Sequence, residues 1–440
     1  MKKFFWIMGM VVMLYSVACQ APTPTPIAFI ATAIPPTIAT PSPTLTITPT
    51  NTTTPTLRAK PTNTVRPRLQ TKMAMITITP DTATPTPTRP PTNTPLPTPL
   101  AHEWDKATKN LLPAPLYYLA NRTNEHQVWR IEKDGRKRRI TNHPGGFYNF
   151  DVSARTGELV LLNNNGIWLS DQFGKNLRLL TIEGLDTTYG TYRRILHPIW
   201  STSGSEFAFG YCGEIWIYNP AKNQLDKIHS PSSEYVLWYP FPRAWSPDDD
   251  FLLVVASYGG DTSFPVLVNV KTKEVETISV SLASRASWAR DARFIYSASE
   301  VGYFGETALM QTDITSGYVI ELMRSSWHEI NAVTTPQEGD DGGLYFFHAT
   351  VTRDKYPDRY FIPEYHMVRA DLVDMTKLVL LRNETHQVLE ALWVPDMSLA
   401  VIVEARNGTF TGRKVYVLTT DNRAPLLLTD FGFHLHWGKN

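Results

Sequence analysis

The chain has 440 residues, a net charge of +1 and a pI near 7.8, with 42% hydrophobic and 11% aromatic residues. That length supports a large core, and the near-neutral balance excludes a chain built as a whole to hold nucleic acid. Its two cysteines, Cys19 and Cys212, exclude a disulfide framework.

The chain opens MKKFFWIMGMVVMLYSVACQ. Lys2 and Lys3 supply a short positive region, and residues 4–17 are apolar apart from Ser16. The apolar run is too short to cross a bilayer comfortably. A small residue, Ala18, precedes Cys19, so residues 1–19 read as an export signal with its processing site. The stretch YSVAC resembles a bacterial lipobox, in which a diacylglyceryl group is added to the cysteine before cleavage. The resemblance implies that Cys19 is lipidated and anchors the mature chain to a membrane facing the periplasm or the cell exterior. Ser16 stands where the box usually carries Leu, and SVA also fits ordinary signal-peptidase cleavage, so simple secretion is the alternative. With Cys19 blocked, no disulfide is expected to form. The exported domain is expected to stand on its core alone, with Cys212 as a small buried apolar residue.

Residues 20–100 change character. Of these 81 residues 44 are Thr or Pro, glycine is absent, and Asp81 is the lone acid against Arg58, Lys60, Arg66, Arg68, Lys72 and Arg89. Such a segment cannot bury a core, so a disordered tether is expected. At about 3.1 Å per residue in polyproline geometry it would reach on the order of 250 Å, and as a flexible coil about 50 Å. Either length makes it a spacer.

From residue 101 onward the grammar is periodic. HPIWSTSGSEFAFGY, RAWSPDDDFLLVVAS, RASWARDARFIYSAS and EALWVPDMSLAVIVEA share one pattern. An apolar strand ends in tryptophan, a Pro/Asp/Gly turn follows, and a second strand comes next. Trp200, Trp245 and Trp288 are 45 and 43 residues apart, and Trp393 and Trp437 are 44 apart. Each unit adds a third strand (EIWIYN, PVLVNV, ALMQTD, KVYVLTT) and a short fourth. The period is two rather than 3.6. A repeat in the low forties with four short strands indicates β-propeller blades. The tryptophan is expected to plug one blade against the next. Val152 and Val333 take its place in two degenerate copies. The first unit, LYYLANRTNEHQVWRIEKDGRKRRIT, begins at its second strand, while FHLHWGKN at the end is a first strand with no successor. The C-terminal strand should therefore close the first blade. The expectation is an all-β, seven-bladed β-propeller over 101–440, with six or eight blades as alternatives.

The hydrophobic-Trp-Ser-Pro-Asp turn and its flanking strands resemble the propeller repeat of the TolB C-terminal domain and its WD40-like (PD40) relatives. The resemblance covers 115–440 and implies a fold rather than an activity. The usual SPDG survives as SPDD at 246–249 and VPDM at 394–397, and the N-terminal domain of TolB is replaced here by the tether.

Antiparallel strand order puts first-to-second and third-to-fourth turns on one face. Second-to-third loops and blade-to-blade connections fall on the other, which we call the loop face. The long aromatic connections belong to the loop face. They carry Tyr189, Tyr192 and Arg193; Tyr235, Trp238 and Tyr239; Tyr258 and Asp261; Tyr303 and Phe304; and Arg353, Tyr356, Arg359, Tyr360 and Tyr365. Tyr, Trp and Arg dominate binding hot spots, and loops on a rigid scaffold are where binding resides. These residues are the expected contact surface for a protein or cell-envelope polymer, with no nucleic acid, no cofactor and a monomeric domain.

Enzyme signals are weak. No Gly-x-Ser-x-Gly elbow occurs. His434 and His436 would share one face of a strand, yet no third metal ligand is identifiable. EGDDGG at 338–343 reads as a turn, not a Ca²⁺ loop. Glu206, Glu300 and Asp261 are available as carboxylates, but no spacing rule pairs them. A non-catalytic binding scaffold is the reading of choice, with a carbohydrate-active enzyme on the same fold as the alternative.

Overall fold

The computed structural model describes residues 111–120, 125–180, 195–229, 239–257, 263–278, 286–298, 309–326, 328–352, 362–406 and 409–439. The export signal, Cys19 and the Thr/Pro segment lie outside the described residues.

Seven four-stranded antiparallel sheets follow one another. Blade 1 is β28 (Phe433–Trp437), β1 (Leu116–Ala120), β2 (Gln127–Ile131) and β3 (Lys137–Arg139). Blade 2 is β4 (Asn149–Val152), β5 (Leu159–Asn163), β6 (Gly166–Ser170) and β7 (Arg178–Leu179). Blade 3 is β8 (Ile195–Trp200), β9 (Phe207–Tyr211), β10 (Glu214–Asn219) and β11 (Gln224–His229). Blade 4 is β12 (Tyr239–Trp245), β13 (Phe251–Ser257), β14 (Ser263–Asn269) and β15 (Val275–Thr277). Blade 5 is β16 (Ser287–Trp288), β17 (Phe294–Ala298), β18 (Leu309–Asp313) and β19 (Val319–Met323). Blade 6 is β20 (Glu329–Glu338), β21 (Gly343–Thr352), β22 (His366–Asp371) and β23 (Leu378–Leu380). Blade 7 is β24 (Val388–Trp393), β25 (Leu399–Arg406), β26 (Thr409–Thr419) and β27 (Leu426–Thr429). As the repeat grammar requires, β28 pairs antiparallel with β1, Leu116 opposite Trp437, and closes the ring.

Among the described residues the core is divided into seven apolar clusters, each joining two consecutive blades. Second strands explain why: Leu159 and Leu161 face blade 1, whereas Val160 and Leu162 face blade 3. A strand buried on both faces reads as a continuous apolar run. The repeat tryptophans Trp200, Trp245, Trp288, Trp393 and Trp437 all pack toward the preceding blade, and Val152 and Val333 do the same. Three of the indoles also donate a hydrogen bond to the preceding blade's first strand. Trp245 Nε1 reaches Ile199 O at 3.2 Å, Trp393 Nε1 reaches Thr335 O at 3.0 Å, and Trp437 Nε1 reaches Trp393 O at 2.9 Å.

The Ser-Pro-Asp-Asp stretch is the hairpin between β12 and β13. Ser246 N donates to Phe251 O, and Asp249 N donates to Ser246 O. The position of the missing consensus glycine is left-handed in every described first-to-second turn: Gly157, Gly204, Asp249, Ala292, Gly342 and Met397 have φ of 77, 67, 61, 59, 69 and 56°. Neighbouring turns are tied together. Asp249 accepts hydrogen bonds from Thr202 N (2.7 Å) and Ser203 N (3.0 Å), and Arg290 forms an ion pair with Asp340. Third-to-fourth turns are closed by Asx side chains: Asp171, Asn219, Asn269, Asp313 and Asp371 each accept backbone N–H groups two to four residues on.

Tight turns are not confined to that face. On the loop face, β5–β6 turns through Asn164–Asn165 and β9–β10 through Cys212–Gly213, with φ of 48 and 83° for the latter pair. The two positive φ values fit the tight turn that matches hairpin twist. Cys212 is therefore half-buried at a hairpin tip rather than buried in the core.

Candidate binding site at the loop face

First strands run from the loop face toward the tight-turn face, and those of most neighbouring blades touch. Their opening residues form the loop-face end of the central channel. Bulges interrupt the pairing of β8, β12, β20, β24 and β28. His197, Thr335 and His434 have positive φ (41, 50 and 54°). Bulges bend a strand and re-aim its side chains. They also break the strict alternation of side chains, so His434 and His436 serve different partners.

Asn149, His197, Glu390 and His434 occupy this end of the channel. Asn149 Nδ2 lies 3.2 Å from His197 Nδ1. With the amide nitrogen as donor, Nδ1 accepts and the imidazole proton sits on Nε2. The His197 ring packs on Phe241, with centroids 5.2 Å apart. Burial, then the positive charges of Arg243 and His434, push the His197 pKa down to about 3, so the ring is neutral at ordinary pH.

Glu390 here, and Asp151 nearer the tight-turn face beside Val152, are both engaged by backbone. Glu390 accepts hydrogen bonds from His434 N (2.9 Å) and Leu435 N (2.6 Å), linking blade 7 to blade 1. Asp151 accepts one from Trp200 N at 2.7 Å and pairs with His436 Nδ1 at 2.9 Å, joining three blades. On blade 6, His348 stands opposite His366, and its Nε2 is 3.0 Å from Asn331 Oδ1. Burial, then His366, pushes His348 down to about 4.

Of the residues expected at the contact surface, Tyr189, Tyr192, Arg193, Tyr235, Trp238, Tyr258, Asp261, Tyr303, Phe304, Arg353, Tyr356, Arg359 and Tyr360 lie outside the described residues. Tyr239 opens β12, half-buried, paired with Ser257. Tyr365 is buried instead, at 6% exposure, in the cluster between blades 6 and 7; its backbone N–H and C=O exchange hydrogen bonds with His386. It is the residue at which the long insertion rejoins the sheet, and pairing there carries its ring inward. Glu206 sits in the β8–β9 turn on the opposite face, its carboxyl raised by burial and by Asp249 and Asp226. Among the described residues no group of three His, Cys, Asp or Glu side chains could hold a metal ion.

Of these channel-end residues the sequence pointed only to His434, as half of the His434/His436 pair, although a signal for all four exists. Asn149, His197, Glu390 and His434 each stand three residues before the repeat tryptophan or its valine substitute.

No protein-family model and no curated protein matches this chain. Solved structures do. TolB of Acinetobacter baumannii is similar at 13% identity, over 74% of this chain and 82% of that one, with a TM-score of 0.41. Oligogalacturonate lyase of Vibrio parahaemolyticus is similar at 12% identity, over 71% and 84%, with a TM-score of 0.48. Puromycin hydrolase is similar at 13% identity, over 73% and 53%, with a TM-score of 0.49. The propeller assignment for this chain stands on its seven sheets and their closure by β28.

Proposed function

We propose that the protein is an exported, membrane-anchored propeller that binds a protein or a cell-envelope polymer through its loop face without transforming it. The observation that supports this reading is the contrast between the faces. On the tight-turn face, side chains such as Asp249, Asn269 and Asp313 are spent on closing turns and tying them together. At the loop-face end of the channel stand a neutral His197, Asn149 and Phe241, and the sequence of the connections assigned to that face is rich in Tyr, Trp and Arg. Carboxylate chemistry finds little support there, because Glu390 is held by two backbone N–H donors. The lipobox-like Cys19 and the Thr/Pro segment support anchoring at a distance from the membrane.

The test is a crosslinking capture from envelope extract with the full-length chain as bait. A matched bait carries Trp238→Ala, Tyr356→Ala and Tyr360→Ala. A partner held by the first and lost by the second supports the binding face. Identical captures, or turnover of envelope glycans by the purified chain, would sink the reading.

A further inference from the structure

The seam where the ring closes carries a feature the loop-face reading does not use. Blade 1 turns one sheet face toward blade 7, and the packing covers only its inner part. Leu116, Tyr118 and Ile131 are buried there against Val401, Leu426 and Leu428. Farther out the same face continues in registered rows. Tyr118 stands opposite Trp129, which stands opposite Arg139; Leu116 stands opposite Ile131, which stands opposite Lys137. Lys137 and Arg139 are exposed, and neither has an ion-pair partner among the described residues. The opposite wall is Leu427 and Thr429 of β27, with Phe431 beyond. The resulting groove has two lobes of about 280 and 410 Å³ that meet at Lys137 and Thr429. Small-molecule sites span about 300–1,000 Å³. Its lining includes one carboxylate, Asp430, in the second lobe.

We propose that this groove is a second binding site, for a strand of carboxylate-bearing polysaccharide. Two observations select that occupant. The floor offers an aromatic platform, Trp129, flanked by two uncompensated cations, and that pairing suits the apolar face of a sugar ring carrying an acid. The floor is also a sheet face in which the backbone N–H and C=O groups of β1 and β2 are already spent in the ladder. An extended peptide laid there would bury its own amides without partners, whereas a glycan is held by side chains alone.

The experiment is calorimetric titration of the full-length chain with alginate oligosaccharides, neutral dextran, dextran sulfate and poly-glutamate. Alginate is expected to bind and dextran to fail. Lys137→Glu, Arg139→Glu and the charge-neutral Trp129→Ala should each weaken alginate binding about tenfold, the factor a contact worth ~1.4 kcal/mol contributes. Arg138→Glu makes the same charge change on the opposite face of β3, where Arg138 lies over Phe173, and should leave binding unchanged. Lys137, Arg138 and Arg139 are exposed and Trp129 is half-buried against the cluster between blades 7 and 1, so a thermal melt of each variant checks the fold. Absence of alginate binding, equal loss in Arg138→Glu, or equal affinity for dextran sulfate or poly-glutamate would overturn the proposal. These outcomes are independent of the loop-face capture, whose variants lie elsewhere.

Discussion

Trp437, in the last strand of the chain, donates its indole N–H to the backbone carbonyl of Trp393, 2.9 Å away and 44 residues earlier. One repeat tryptophan thus holds the main chain of the previous one, across the joint where the ring closes. Removing residues 433–440 would expose β1 as an unpaired edge. We expect such a chain to aggregate and to lose its cooperative thermal transition. Trp437→Phe, which keeps the ring but not the donor, should cost about 1 kcal/mol. Thermal melts with size-exclusion chromatography read both.

The first-to-second turns make a graded prediction. Ala292 holds φ of 59° where other blades use glycine. Relieving that strain is worth roughly 1–2 kcal/mol, and the looser unfolded chain returns about 0.4–1 kcal/mol of it. Ala292→Gly should therefore stabilise slightly. Gly204→Ala should be the costliest change of the set, because its Cβ would lie 2.4 Å from Ser153 Oγ as well as at φ +67°. Gly342→Ala meets nothing within 4 Å and should cost only the conformational term. Urea denaturation should rank the variants, from most to least stable, Ala292→Gly, Gly342→Ala, Gly204→Ala.

Acid should weaken the fold through its buried histidines. His197 and His348 have folded pKa values of about 3 and about 4, below the ordinary 6.5. For a depressed histidine the unfolded chain binds the proton more readily, so stability falls as pH drops below about 6.5 and levels off near the folded value. Each such group contributes up to about 1.4 kcal/mol per pH unit to that slope. His197→Asn should flatten the dependence between pH 6 and 4. Parallel curves for the variant and the parent would refute this.

The joint between blades 6 and 7 carries a buried charge cluster. The Arg382 guanidinium is fully buried, pairs with Glu384, and donates to Thr419 O and Arg423 O, both at 2.5 Å. His386 Nδ1 lies 2.7 Å from Glu404, with Glu384 3.8 Å from its other nitrogen. Burial alone would raise Glu384, but His386, the backbone and Arg382 hold it at about 2. Its contribution is complete above about pH 4.5 and lost as pH falls toward 2. Burial alone would lower His386, but Glu384 and Glu404 raise it. Its contribution is present below the ordinary histidine pKa and lost as pH rises through the raised folded value. Arg382→Ala should cost about 3–5 kcal/mol by stranding Glu384 and two carbonyls. Arg382→Met with Glu384→Gln should cost less, measured by denaturant midpoint.

Tryptophan spacing, the turn chemistry of Ser-Pro-Asp-Asp and the two half-blades at the ends carried the blade count and the closure, because a repeat states its local hydrogen bonding again in every copy. The left-handed turn position that Asp249, Ala292 and Met397 share with three glycines showed in the sequence only as the loss of the final glycine from SPDD and VPDM. The contacts made at the channel end, the seam groove and the burial of Tyr365 were not readable. Each depends on which residue of a different blade stands opposite: Asn149 with His197, Trp129 with the wall of blade 7, Tyr365 with His386. Those juxtapositions come from bulges and from the angle at which one sheet packs on the next. Neither leaves a mark in the period-two pattern of any single strand, so only the assembled ring decides them.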